Sequence, residues 1–95
     1  MRDYELAYVV RSTIDEDGVT GVVEQVSQFV KSADGEVASV DVWGRRTLAY
    51  PIDNHREGTY VVLQMKMPPT GLPQLERNLK LSEDIIRYLL VKVET

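Results

Sequence analysis

The 95-residue sequence contains no cysteine, which excludes a disulfide framework, a thiolate metal site and a cysteine nucleophile. It also lacks long apolar runs, because the longest, Leu6–Val10, is far shorter than the roughly 20 residues of a membrane-spanning helix. The single histidine, His55, lies in a polar segment with no nucleophile nearby. We therefore expect one domain over residues 1–95, held by its hydrophobic core, with no membrane segment, resident cofactor or metal.

The sequence has few basic residues, and its net charge is −4 with 11 basic and 15 acidic groups. An acidic total is unusual for a nucleic-acid-binding domain. The acidic groups are concentrated in residues 1–43, however, whereas residues 44–95 carry a small basic excess. A local basic patch therefore remains compatible with the composition, since charges act over only about 8–10 Å at ordinary salt.

Hydrophobic periodicity predicts six elements. Alternating residues predict strands over Tyr4–Arg11, from Val37 to Tyr50, over Thr59–Met67 and over Ile85–Val93. A valine stripe at helical spacing predicts a helix with Ser12, Thr13 and Asp15 as plausible caps and the acidic cluster Asp15-Glu16-Asp17 at its start. A leucine stripe predicts a second helix, which Thr70 can cap. We expect Gly35 to close the first helix in a left-handed conformation, a bulge or bend at Trp43-Gly44, a strand end at Pro51 and a polar turn over Asp53–Gly58.

The order strand, helix, strand, strand, helix, strand predicts an α+β fold. Two βαβ units with right-handed crossovers interlock into the ferredoxin-like βαββαβ plait, a four-stranded antiparallel sheet with both helices on one face. The first and third strands are expected at the centre. If Leu6, Leu63 and Leu90 point toward the helices, five apolar residues point away from them: Ala7, Val9, Val62, Leu89 and Val91.

An uncovered apolar sheet face is typical of a protein-binding surface. Val9, Val62, Leu89 and Val91 are therefore candidate partner-binding residues. The mixed faces of the last strand leave open a register slip that would turn some of them inward.

Enzymatic sites find little support in these residues. Asp15-Glu16-Asp17 is better explained by helix capping than by a calcium loop, and Arg11-Ser12-Thr13 lacks the glycines of a phosphate cradle. The third strand, Gly58–Leu63, lacks the basic-glycine-aromatic pattern of an RNA-recognition motif, and Tyr60 is the only aromatic expected on the open face of the two central strands. Scattered basic side chains remain, which suit recognition of a phosphate backbone or form a solvated rim.

The sequence contains the run Trp43-Gly44-Arg45-Arg46-Thr47-Leu48-Ala49-Tyr50-Pro51-Ile52. This run resembles the hallmark of the bacterial small-subunit ribosomal protein S6 family. The opening Met1–Glu5 and the segment Ile86–Lys92 are similar to the start and the last strand of that family. The resemblance spans essentially the whole chain and agrees with the six-element order.

The resemblance implies a structural, non-enzymatic role in the ribosome, cytoplasmic or alternatively organellar, without a small-molecule substrate. Its expected partners are the central domain of the small-subunit (16S-type) ribosomal RNA and ribosomal protein S18. Carried over by position, the expected RNA-binding residues are Arg2, Arg45, Arg46, Arg87 and Lys92. We expect Arg2, Arg87 and Lys92 to form one phosphate-facing patch. The loop after Ile52, often lysine-bearing in the family, has Arg56 as its only fixed cation here. The alternative is a small-molecule-sensing or dimerising regulatory domain of the same topology.

Overall fold

The computed structural model of the chain describes residues 2–52 and 55–93, with side chains described for 2–47 and 57–93. The elements are β1 (Arg2–Arg11), α1 (Glu16–Ser32), β2 (Glu36–Ile52), β3 (His55–Met67), a 3-10 turn (Pro69–Gly71), α2 (Leu72–Leu81) and β4 (Ile85–Lys92). The antiparallel strands lie in the order β2-β3-β1-β4, so β1 and β3 are central. The predicted ferredoxin-like plait is confirmed.

One face of the sheet, the covered face, packs against both helices. Leu6 of β1 lies opposite Leu63 of β3 and Leu90 of β4, as the alternation predicts. Since successive side chains of a strand point to opposite sides, this register fixes the rest of the covered face. Together with the helices, it forms the hydrophobic core, whose fully buried members include Leu6, Tyr8, Val10, Val26, Val30, Val61, Leu63, Met65, Met67, Leu75 and Leu79.

The ends of α1 follow the expected capping chemistry with one exception. Of the three candidate caps, Asp15 caps the helix: its side chain accepts a hydrogen bond from the Gly18 amide at 2.8 Å. At the other end, Asp34, with φ 66°, adopts the left-handed conformation that was expected of Gly35. Gly35 has a different reason to be glycine, since a Cβ there would lie 2.6 Å from Cγ of Met67. The position is set by packing against β3.

The segment before α2 also differs from its prediction. Thr70 does not cap the helix, because it lies inside the 3-10 turn and no side chain caps α2. Gly71 lies at the helix start, against the carbonyl oxygen of Ala33 at the end of α1. This close approach joins the two helices at one end of the helical layer.

Strand β2 is longer than its sequence suggests. It continues through Pro51 to Ile52, so the predicted end at Pro51 is wrong. A proline is tolerated there because β2 lies at the edge of the sheet and its outer side needs no donor. Strand β3 begins at His55, within the expected polar turn, and residues 53 and 54 lie outside the described residues.

The predicted irregularity at Trp43-Gly44 is a bulge. The register of β2 against β3 shifts between Val42 and Gly44, and Gly44 has φ 91°, a left-handed conformation that favours glycine. A second shift lies between Val37 and Ser39. These bulges decide which β2 side chains face the helices. Over the part of the chain that the structure describes, no helix is long and apolar enough to span a membrane.

Candidate functional site

Arg2 and Lys92 lie together at one end of the sheet. Lys92 is opposite Tyr4 in the β1–β4 register, which makes Arg2 its diagonal neighbour, with Cα atoms about 7–8 Å apart. The Val93 amide donates to the Asp3 carbonyl at 2.9 Å, so the end of β4 is tied to the start of β1. Both cationic side chains are exposed and lie on the covered side of the sheet, beyond the buried core. This pair is the part of the predicted patch that the structure brings together.

Arg87 does not join that pair. It lies opposite Val9, on the face of the sheet that points away from the helices. It is five residues from Lys92, or about 17 Å along the strand. The expected single patch of Arg2, Arg87 and Lys92 is therefore wrong in its geometry, because the parity of β4 places Arg87 and Lys92 on opposite faces.

The consecutive residues Arg45 and Arg46 also diverge. Arg45 lies opposite Thr59 on the covered side, and its guanidinium Nη2 donates to the Ser12 carbonyl at 2.9 Å. Arg46 lies opposite Gly58, on the other face. Although the motif suggests a paired cationic site, the extended backbone after the bulge separates the two side chains. Arg45 instead bridges β2 and the loop before α1.

The open face is the side of the sheet without helices, and it carries all four candidate partner-binding residues. The register excludes the slip that the sequence left open, since Ala7 lies opposite both Val62 and Leu89, and Glu5 lies opposite Val91. Val9 and Val62 are buried by their neighbours, whereas Leu89 and Val91 are 58% and 47% exposed. The two β4 side chains therefore offer most of the accessible aliphatic surface.

The sequence did not predict that Trp43 lies on the open face. Its indole N–H donates to Asp41 Oδ2 at 3.0 Å, and the side chain is 51% exposed. Since Asp41 is on the open face, the hydrogen bond holds Trp43 on that side, next to Gly44, which pairs with Tyr60. The Trp-Gly pair was a usable signal for a bulge, but the face on which the indole lies depends on the register with β3.

A second missed feature is an apolar groove between α1 and β2. It is lined mainly by Ile14, Val19, Val23 and Val42, together with Arg45. Asp15 and Glu16 at the start of α1 also line it. Val19 and Val23 belong to the valine stripe of α1, and Val42, on the edge strand β2, is 51% exposed.

The described side chains form no cluster suited to catalysis or metal binding. Among them, no group of three or more histidine, cysteine, aspartate or glutamate residues is arranged to hold a metal ion. Burial raises the pKa of Tyr8 above its ordinary value, and its hydroxyl has no hydrogen-bond partner. The ion pair between Arg11 and Asp84, at 2.9 Å, joins β1 to the segment before β4 and has a structural role.

Comparisons with known proteins agree with this picture. The family model for ribosomal protein S6 matches residues 3–92. The small ribosomal subunit protein bS6 of Moorella thermoacetica is 40% identical over 94 residues, which are 99% of this chain and 96% of that protein. The corresponding protein of Campylobacter curvus is 43% identical over 99% of this chain and 66% of its own length.

Solved structures give the same family and a wider fold group. The crystal structure of 30S ribosomal protein S6 from Thermotoga maritima superposes with a TM-score of 0.91 at 26% identity, covering 97% of this chain and 87% of that one. The C-terminal domain of the MgtC protein from Mycobacterium tuberculosis has a TM-score of 0.64 at 14% identity, a likeness of fold alone. The family match over residues 3–92, with relatives about 40% identical along their full length, shows that this chain belongs to the ribosomal protein S6 family, the structural and non-enzymatic S6 proteins of the bacterial small ribosomal subunit.

Proposed function

We propose that this protein binds the central domain of the small-subunit ribosomal RNA together with ribosomal protein S18, and that it acts in assembly of the cytoplasmic ribosome. The observation that carries the proposal is the meeting of Arg2 and Lys92, from opposite ends of the sequence, on two tied neighbouring strands. Two exposed cations on a fixed strand pair suit contacts to neighbouring phosphates. Arg45, Arg46 and Arg87 add cationic positions elsewhere on the sheet.

A protein partner accounts for the remaining features of the surface. The chain has a net charge of −4, which repels phosphate at long range, so a basic partner would raise the affinity for RNA. The open face offers such a partner an apolar surface of Val9, Val62, Leu89 and Val91, of which the last two are well exposed. Sheet faces of this kind are typical interaction sites.

The test is a titration of a central-domain RNA fragment with this protein, with and without S18, at several salt concentrations. Arg2→Ala and Lys92→Ala should each reduce the slope of log affinity against log salt by about 1, since each removes one phosphate contact. Lys80→Ala is the matched control, because Lys80 is an exposed cation in the last turn of α2. It should leave the slope unchanged.

Two outcomes would contradict the proposal separately. Equal affinity with and without S18 would remove the partner from it. If Arg2→Ala and Lys92→Ala both keep the wild-type slope, or change it no more than Lys80→Ala does, the two cations form a solvated rim and the RNA contacts lie elsewhere.

A further inference from the structure

The charged residues of the open face are distributed unevenly along the strands, with acidic groups near one end and basic groups near the other. At the end near the start of β1, it carries Asp3, Glu5 and Glu36 with one cation, Lys66. At the opposite end lie Arg46 on β2 and Arg11 on β1, which pairs with Asp84; Arg87 on β4 lies one row nearer the centre, opposite Val9. The rows between these ends are mainly apolar but also carry Ser39, Asp41 and Gln64. Their apolar members are Ala7, Val9, Trp43, Tyr60, Val62, Leu89 and Val91.

This arrangement is complementary to itself under one rotation. Consider a two-fold axis that runs midway between the two sheets, parallel to both and perpendicular to the strands. It places the acidic end of one copy over the basic end of the other. It lays β2 over β2, which brings Glu36 of each copy opposite Arg46 of the other. A two-fold axis parallel to the strands would instead place the acidic ends of the two copies over each other. Closed two-fold contacts of this kind are the commonest form of self-association.

We propose that the open face is a docking surface for a second copy of this chain, with the two sheets packed face to face and their strands antiparallel. Ala7, Val62 and Leu89 lie in the central row, along the two-fold axis. The exposed part of Leu89 and Val91 then becomes buried between the sheets. This goes beyond the proposed ribosomal function and uses the same apolar residues, so a self-associated copy could not bind a protein partner through that face.

The geometry also predicts that the dimer is weak and reversible. The open-face side chains form five cross-strand rows, from that of Glu36 to that of Arg46. On four strands these rows cover about 27 Å by 15 Å, or on the order of 400 Å² per copy. A stable interface buries about 800 Å² per partner, so the expected association lies in the range of transient contacts. The axis also brings the two Asp41 side chains toward each other at the β2 edge. This like-charge contact weakens the association further, although each Asp41 accepts the indole N–H of Trp43.

Charge reversal at Glu36 and at Arg46 tests the proposal. Sedimentation equilibrium from about 1 to several hundred micromolar should show wild-type mass rising from 10.8 kDa toward twice that value. Arg46→Glu and Glu36→Lys should each weaken self-association by at least about tenfold, because each places two like-charged pairs across the interface. An equimolar mixture of the two variants should associate again, since both contacts are then between opposite charges. A mixture that stays as monomeric as the separate variants would overturn the proposed orientation.

The absence of cysteine allows an independent test of the surface. Leu89→Cys places one thiol on the open face, and Gln28→Cys places one on the exposed side of α1. A short thiol-reactive crosslinker should join two copies of the Leu89→Cys variant several-fold faster than two copies of the control. Equal rates would overturn the proposal, as would a wild-type mass of 10.8 kDa at every concentration. In those cases a normal S18 titration would still leave the open face as the surface of the ribosomal partner.

Discussion

The covered and open faces of the sheet are built from alternate residues of the same strands, yet they differ in what their apolar residues do. On β4, Leu90 packs toward the helices, whereas the adjacent Leu89 is 58% exposed. On β3, Leu63 and Val62 are both buried, but Leu63 belongs to the core between sheet and helices. Neighbouring residues of similar hydrophobicity therefore differ in role: those on the covered face stabilise the core, whereas Leu89 stays exposed and available for the proposed contacts.

The sharpest test of this division is truncation of one residue on each face. Leu63→Ala should cost about 3 kcal/mol of unfolding free energy, because Leu63 has no solvent exposure and its removal leaves a cavity. Leu89→Ala should cost less than about 0.5 kcal/mol, as is usual for surface positions. Denaturant unfolding followed by circular dichroism measures both values. Comparable losses for the two variants would refute the division of tasks.

The second test concerns glycines in the helical layer. Gly71→Ala should destabilise the protein by about 2 kcal/mol, because the new Cβ would press against the Ala33 carbonyl oxygen, a backbone atom with little freedom to move. Gly21→Ala is the matched control within α1, where a Cβ meets nothing within 4 Å. It should stabilise by about 0.5–1 kcal/mol through the better helix propensity of alanine. Opposite shifts in thermal midpoint are the expected result.

The third test addresses the bulge, where the alternation of β2 changes. Gly44→Val should cost about 1–2 kcal/mol, since φ 91° is strained for a β-branched residue. Space is not the cause, because a Cβ at Gly44 meets nothing within 4 Å. Gly44→Asn, which tolerates the left-handed region better, should lose less. If both variants unfold alike, backbone strain is not what selects glycine there.

The extent of the sequence's predictive power follows from the same alternation. In β1, β3 and most of β4 the period of two is regular, so Leu6, Leu63 and Leu90 were correctly placed together. In β2 the bulges break the period, and local pattern could not assign Arg45 and Arg46 to faces. Those assignments depend on the partner strand, which lies far away in sequence.

The helix ends show the same limit. The Asp15 cap is a local hydrogen bond and was one of three caps that the sequence offered, whereas Gly35 and Gly71 are glycines because of contacts with Met67 and Ala33. Such contacts are invisible in a short window of sequence. The patch of Arg2 and Lys92 was predicted because strand adjacency follows from topology, while the exclusion of Arg87 required the register.

The last test concerns Tyr8, a covered-face residue that brings a polar group into the core. Its hydroxyl is buried without a hydrogen-bond partner, so Tyr8→Phe should stabilise the protein by about 1 kcal/mol at neutral pH. Because burial raises the pKa of folded Tyr8 above the ordinary value of 10.0, the unfolded chain loses that proton first as pH rises. Below about pH 10 both states keep the proton, so the free energy of unfolding does not change; above it, deprotonation favours the unfolded chain and the free energy of unfolding declines. Urea unfolding at pH 7 and near pH 11 should show wild type losing more stability than Tyr8→Phe over that interval. Parallel losses in the two proteins would mean that Tyr8 titrates normally and that its hydroxyl reaches solvent.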